Sequence, residues 1–444
     1  VFSDRLHNTP LFHPLSSPFK SAIYLVDPNN ADWQQYLGAK NDDVYQVFEF
    51  DGWQIDQLGW QGDVYDYHGN AVSLSAGFAP MIAYSKQLQP EKRLVMNAVG
   101  QYGQEEIAKT SVDFLYTEVW DKPTNRGYTV LSDVITKNYT LSGGKATVLA
   151  AYMDYNHGIK GRGYFNTSGV LMTTAAAHAW GGTILQMGEH MLCNEYFPNS
   201  NLSMHGDLYR AMIAYYDFIT AYENLLRDNW KERATVKATC SDVTINTWEP
   251  VANQVTMLAR EVNGRQVVHL LNFTQEEGAT SLSTLGETEG ENYLLYWHDN
   301  QAIRPWPQRF ENLSVRLTGL TGMGKVRRIW VASPDYCGGA MQELTDYRYT
   351  SSTGTISLTL PSLQFWTMIV IEPESATTKD NTCYAPTING ESLVPDIPSS
   401  LAPTPSATRS WSLTSGEGIF EAHADIPAGT LTIFKDNDDA VILP

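Results

Sequence analysis

The chain has 444 residues, enough for two or three domains, and carries a formal charge of −19 from 49 acidic and 30 basic side chains. That balance argues against a nucleic-acid binder, whose phosphate partner demands a basic surface, and against docking on an anionic membrane. No stretch of 18 apolar residues is present to span a bilayer, so the composition fits an acidic protein acting on a neutral substrate.

The 12 Trp and 24 Tyr supply flat apolar faces with a polar handle, which suit sugar rings as well as ordinary packing. The first residues, VFSDRLHNTPLF, lack the basic-then-apolar pattern of a secretory signal, as a mature secreted chain also would. Cys193, Cys240, Cys337 and Cys383 are widely spaced with no C-x-x-C, which speaks against a zinc site and a disulfide framework.

Up to about residue 230, short apolar runs alternate with amphipathic segments. The runs are 21–27 (SAIYLVD), 44–50 (VYQVFEF), 94–99 (LVMNAV), 112–118 (VDFLYTE), 146–153 (ATVLAAYM) and 183–187 (TILQM). Helical patterns lie near 30–38, 74–88, 103–110, 126–138 and 168–180. This alternation predicts βαβ units and a parallel sheet. Asp27, Asp51, Asn97, Glu118, Asp154 and Glu189 punctuate the ends of the runs. Functional groups arriving repeatedly at one sheet edge favour an α/β fold of the (β/α)8-barrel type over an open doubly wound sheet. No G-x-G-x-x-G follows a strand, which lowers the dinucleotide-binding alternative.

Only six runs are visible where a closed barrel wants eight, so the first strands are expected to lie on a piece outside this chain. After a long helix at about 204–230 the pattern changes to period two, in segments such as VTMLAREV, QVVHLLNFT and FWTMIVIEP. The expected organisation is therefore a barrel domain over 1–232, entered at about the third strand, and an antiparallel β-sandwich domain over 233–375. Residues 376–444 are expected to form a Ser/Thr/Pro-rich linker and an extra β segment.

The chemistry is sought at the strand ends. Residues 44–60 (VYQVFEFDGWQIDQLGW) run from an apolar stretch into Asp51, Trp53 and Asp56, and VDFLYTEVW ends on Glu118 followed by Trp120. Two carboxyl groups flanking a scissile bond are what glycoside hydrolysis needs: one ionised to attack the anomeric carbon, one holding a proton for the leaving oxygen. Glu118 beside Trp120 and Tyr116 has the apolar company that keeps a carboxylic acid protonated. In a third cluster, 181–199, Glu189, His190, Glu195 and Asn199 suit hydrogen bonds to sugar hydroxyls. No helical H-E-x-x-H supports a metal there, and no G-x-S-x-G elbow follows a strand. No cofactor or metal is expected, and KDNDD at 435–439 reads as a solvated turn rather than a calcium loop.

The segments IYLVDPNNADWQQYL, FDGWQIDQLG, DFLYTEVW, AAYMDY and GEHMLCNEYFPNSNLSM, in this order, resemble glycoside hydrolase family 66. That family contains endo-dextranases and cycloisomaltooligosaccharide glucanotransferases. The resemblance implies a retaining mechanism on α-1,6-linked glucan, with an Asp nucleophile after the fourth barrel strand and a Glu acid/base after the sixth. Carried over, Asp56 in WQIDQLG is the nucleophile, with Asp51 as the rival, and Glu118 in LYTEVW is the acid/base. Strand-end position, with the family as support, makes Asp51, Trp53, Asn97, Trp120, Tyr152, Asp154, Glu189 and His190 the expected sugar-lining residues.

Family members carry a β-sandwich and the first barrel strands ahead of the position matching residue 20, so a separate N-terminal fragment completing the barrel is an expected partner. The late strands follow one another too closely for the inserted carbohydrate-binding module of the glucanotransferases, which favours the dextranase branch. The expected function is endo-hydrolysis of dextran or isomaltooligosaccharides by a secreted, periplasmic or cell-surface protein. The alternatives are a cyclising glucanotransferase and a non-catalytic glucan-binding protein on the same scaffold.

Overall fold

A computed structural model describes residues 1–15, 17, 19–120, 127–160, 162–185, 193, 201–275 and 304–376, together with the backbone of strands between 387 and 442. The contacts divide the chain into two compact units. One comprises Val1–Trp120, Asp133–Ala151 and Gly182–Leu185, and the other comprises the remaining segments.

The first unit is built on short parallel strands: β1 (Gly52–Ile55), β2 (Arg93–Met96), β3 (Leu115–Val119), β4 (Thr147–Ala151) and β5 (Gly182–Ile184). β1 pairs with β2, β3 with β4 and β4 with β5, all parallel, and an Asn97–Tyr116 bridge joins the two groups. Helix α1 (Ala31–Tyr45) precedes them, and α2 (Phe78–Leu88) and α3 (Thr129–Ser142) fall between them along the chain. α1 starts where the Asn30 side chain accepts a hydrogen bond from the Trp33 N–H, satisfying one of the helix's orphan donors. α2 turns Phe78, Met81 and Ile82 to one side, the i, i+3, i+4 spacing of a buried helical face. That face packs with Ile55, Leu94, Met96 and Leu115 in a single core. Each such apolar side chain, fully buried, contributes about 1.5–3 kcal/mol.

Two of the expected strands are not where the apolar runs place them. Val44 and Tyr45 end α1, and Val47, Phe48 and Phe50 are exposed in the turn that follows. The strand begins only at Gly52. Its backbone runs so close to the neighbouring strand that a Cβ at Gly52 would stand 1.9 Å from the Arg93 carbonyl oxygen. In the run 21–27 only Ile23–Tyr24 is extended, and it pairs antiparallel with Phe12–His13 outside the parallel sheet.

In the second unit, α4 (Thr167–Ala179) is buried on every side, which its small residues, TSGVLMTTAAAHA, permit. α5 (Gly206–Ala221) follows it in sequence. Two antiparallel sheets come next. The first orders its long strands as 255–262, 265–272, 366–373 and 326–332, and the second as 237–240, 310–318, 355–363 and 347–350. Inward residues of both, among them Met257, Leu270, Ile369, Val315, Leu317 and Leu358, share one buried apolar cluster. Four antiparallel strands lie between 407 and 442.

Among the described residues no helix is long and apolar enough to cross a membrane.

Candidate active site

Side chains alternate across a strand, so residues level with one another or two apart share a face. β1 pairs with β2 through Ile55–Met96, which brings Asp56 level with Asn97, and Asn97 bridges Tyr116. Glu118 lies two residues beyond Tyr116. Asp56, Asn97, Tyr116 and Glu118 therefore share one face at the carboxyl ends of three neighbouring strands.

The hydrogen bonds agree with that register. The Asn97 side-chain amide donates to Asp56 Oδ1 at 2.9 Å, and Asn97 Oδ1 accepts from the Glu118 backbone N–H at 3.3 Å. Asp56 Oδ1 also accepts from the Gln57 backbone N–H at 2.9 Å. The Gln57 side chain folds back to donate to the Asn97 carbonyl at 3.1 Å, and its own oxygen accepts from the Gly59 N–H at 2.6 Å. Gly59 makes this tight return possible by adopting φ +74°, a left-handed conformation in which a side chain would be strained. On the third strand, the Trp120 indole N–H donates to Glu118 Oε2 at 3.2 Å. Asp56 is exposed, Glu118 and Trp120 are half-buried and Asn97 is enclosed at 1% exposure, so the two acids face outward over a buried amide. Burial, and then the charges of Glu118 and Asp56, push the Tyr116 phenol well above its ordinary range, so it stays protonated beneath the pair.

The other expected site residues are placed differently. Asp51 precedes β1, where its carbonyl accepts from the Arg93 N–H, and so lies at the strand's opposite end from Asp56. Trp53 is inside β1 and packs against the core. Tyr152 and Asp154 belong to the second unit and are fully enclosed, offering no surface to a ligand. Asp154 has φ +53°, its Oδ2 accepts from the Asn166 N–H at 2.8 Å, and its Oδ1 has no hydrogen-bond partner among the described residues. Burial pushes that carboxyl up to about 7, opposed in part by the Asn166 N–H. Glu189, His190, Glu195 and Asn199 lie outside the described residues.

Gln57, which donates to the Asn97 carbonyl, joins the neighbourhood without having been singled out in the sequence.

Two carboxylates presented on one face at the carboxyl edge of a parallel β/α sheet form an arrangement suited to cleaving glycosidic bonds. The family model for glycosyl hydrolase family 66 matches residues 1–370, and the chain belongs to that family. It is 26% identical to a cycloisomaltooligosaccharide glucanotransferase of Niallia circulans, over 82% of this chain and 50% of that protein. It is also 26% identical to a dextranase of Streptococcus salivarius, over 79% of this chain and 47% of that protein. The chain thus spans about half the length of the curated relatives it matches.

Among solved structures, a Paenibacillus sp. cycloisomaltooligosaccharide glucanotransferase complexed with cycloisomaltoheptaose shares the fold. Its TM-score is 0.68 at 22% identity, covering 83% of this chain and 69% of that one.

Proposed function

We propose that the protein is a retaining endo-glycosidase that hydrolyses internal α-1,6-glucosidic bonds of dextran, with Asp56 as nucleophile and Glu118 as acid/base. The observation carrying this reading is the common face of the two acids, two strands apart at the carboxyl edge. Two strand spacings are about 10 Å between backbones, a scale on which two side chains can flank one glycosidic bond.

Asp56 Oδ1 is occupied by Asn97 and Gln57, which leaves Oδ2 to attack the anomeric carbon. As the new C–O bond forms, the glycosidic bond breaks and its oxygen takes the proton of Glu118. Water then loses a proton to the Glu118 carboxylate and attacks the same carbon, which releases Asp56 and restores the protonated acid. The proposed frame is a (β/α) barrel over residues 1–232 followed by an antiparallel β-sandwich over 233–375. A polymeric substrate suits a secreted, periplasmic or cell-surface location.

Incubation with dextran tests the reading. The expected result is a rapid fall in chain length for wild type and none for Asp56→Asn. Long chains left intact by wild type, or cut equally by both proteins, would overturn it. A cyclising glucanotransferase is the second reading, favoured by the likeness to proteins of that name. The same site would serve it, with a sugar hydroxyl replacing water, and cyclic oligosaccharides among the products would decide for it.

A further inference from the structure

The side chain of Asn97 is enclosed, yet it stands between the two proposed catalytic acids. Its backbone is pinned on both sides. The Asn97 N–H donates to the Ile55 carbonyl at 2.9 Å, and the next residue, Ala98, donates to the Tyr116 carbonyl at 3.0 Å. With the main chain held, the amide has one orientation that satisfies both neighbours: the nitrogen toward the Asp56 carboxylate and the oxygen toward the Glu118 N–H. The flipped amide would set oxygen against carboxylate and N–H against N–H. At 1% exposure Asn97 offers nothing to a sugar ring.

From this geometry we infer that Asn97 is a positioning residue: it holds Asp56 Oδ1 so that Oδ2 faces the anomeric carbon, and it ties the nucleophile's strand to the backbone of the acid/base. The inference rests on Asp56 and Glu118 being the catalytic pair. The sequence placed Asn97 among the sugar-lining residues. The two roles differ in what its loss should do: a sugar contact affects KM, whereas a positioning amide affects turnover with KM nearly unchanged.

Asn97→Asp separates them in the full-length protein. It keeps the shape of the side chain and an oxygen for the Glu118 N–H, and replaces only the donor to Asp56. Among the described residues, the titratable groups facing this position are Asp56 just beyond β1 and Tyr116 and Glu118 on β3, and Tyr116 stays protonated throughout. A protonated carboxyl at position 97 donates to Oδ1 as the amide did, while an ionised one repels it. The variant is expected to retain activity at acidic pH and lose it as pH rises, with the alkaline limb of kcat moved below that of wild type and KM within about threefold.

Asn97→Ala, which deletes both the donor to Asp56 and the acceptor of the Glu118 N–H, is expected to lower kcat by about 10- to 100-fold at similar KM, and it carries the test if Asn97→Asp does not fold. A pH profile for Asn97→Asp that parallels wild type, or losses confined to KM, would overturn the inference. Asp56→Asn runs alongside. If it turns over like wild type, the catalytic pair is wrong and the role of Asn97 falls with it. If it is inactive while the Asn97 variants behave as wild type, only the positioning role is lost.

Discussion

Replacing Asp154 by Asn should make the protein's stability less sensitive to pH, by an amount the structure bounds. The wild-type carboxyl is fully buried, accepts from the Asn166 N–H, and is pushed by that burial from its ordinary 3.8 up to about 7. In the unfolded chain it gives up its proton above about pH 4, while the folded state keeps it until about 7. Unfolding in that window therefore releases a proton, and stability declines as pH rises from about 4 to about 7, then levels off. At about 1.4 kcal/mol per pH unit the ceiling on this loss is about 4 kcal/mol. The Asn side chain is neutral throughout and can still accept from the Asn166 N–H. Its amide nitrogen would occupy the place of the unpartnered Oδ1, a cost that does not change with pH. Asp335, which burial pushes up to about 6, has the same sign of dependence but is common to both proteins and cancels.

Urea unfolding of the two proteins between pH 4.5 and 8 measures this directly. Amide exchange over 154–170 reports locally, since Asn166 caps α4 by accepting from the Gly169 N–H and donates to the Arg304 carbonyl. The stability difference should shift in favour of Asp154→Asn by up to about 4 kcal/mol as pH rises through the window. A difference that stays constant across that range would refute the argument that this carboxyl is held protonated by burial.

Glu372 behaves in the opposite sense. Burial pushes it up, but hydrogen bonds from Arg328, Arg327 and Trp330 outweigh that and hold its carboxyl at about 2, so its contribution is present above about pH 4.5 and fades as pH falls toward 2. Glu372→Gln should cost about 3–5 kcal/mol at neutral pH by removing the buried carboxylate that Arg265, Arg327 and Arg328 share, and the penalty should shrink in acid unfolding curves followed downward from pH 5. Gly52→Ala should disrupt the β1–β2 pairing, because its Cβ would overlap the Arg93 carbonyl. It should lower stability by about 2 kcal/mol or more and reduce dextran cleavage, read by thermal unfolding alongside product sizing.

The alternation of strands and helices was legible because it is a matter of period and length. The segments 74–88, 126–138 and 168–180 correspond to helices at 75–88, 129–142 and 167–179, and the run 112–118 to the strand 115–119. The error at 44–50 has a physical cause. VYQVFEF is apolar enough for a buried strand, but its Val47, Phe48 and Phe50 are more than half exposed, and composition does not say which apolar runs find a partner. The true strand, Gly52–Ile55, is four residues long, too short to show a period. Asp51-Gly52 has the composition of a turn after a strand, and here the turn comes before one.

That displacement bears directly on the choice of nucleophile. With the strand ending at residue 50, Asp51 would stand at the carboxyl edge and Asp56 would be loop. With the strand at 52–55, the two acids fall at opposite ends, and Asp56 is level with Asn97 and Tyr116. Asn97 shows the limit of reading polar residues at strand ends as ligand contacts. Such a residue can face a substrate or hold another side chain that does, and the two are identical in sequence. Only the packing distinguishes them: enclosure at 1% exposure and a hydrogen bond to each neighbouring strand give Asn97 the second role. The same criterion turns Tyr152 and Asp154 from rim residues into interior ones, whereas Trp120, half-buried and hydrogen-bonded to Glu118, keeps an accessible aromatic face beside the proposed pair.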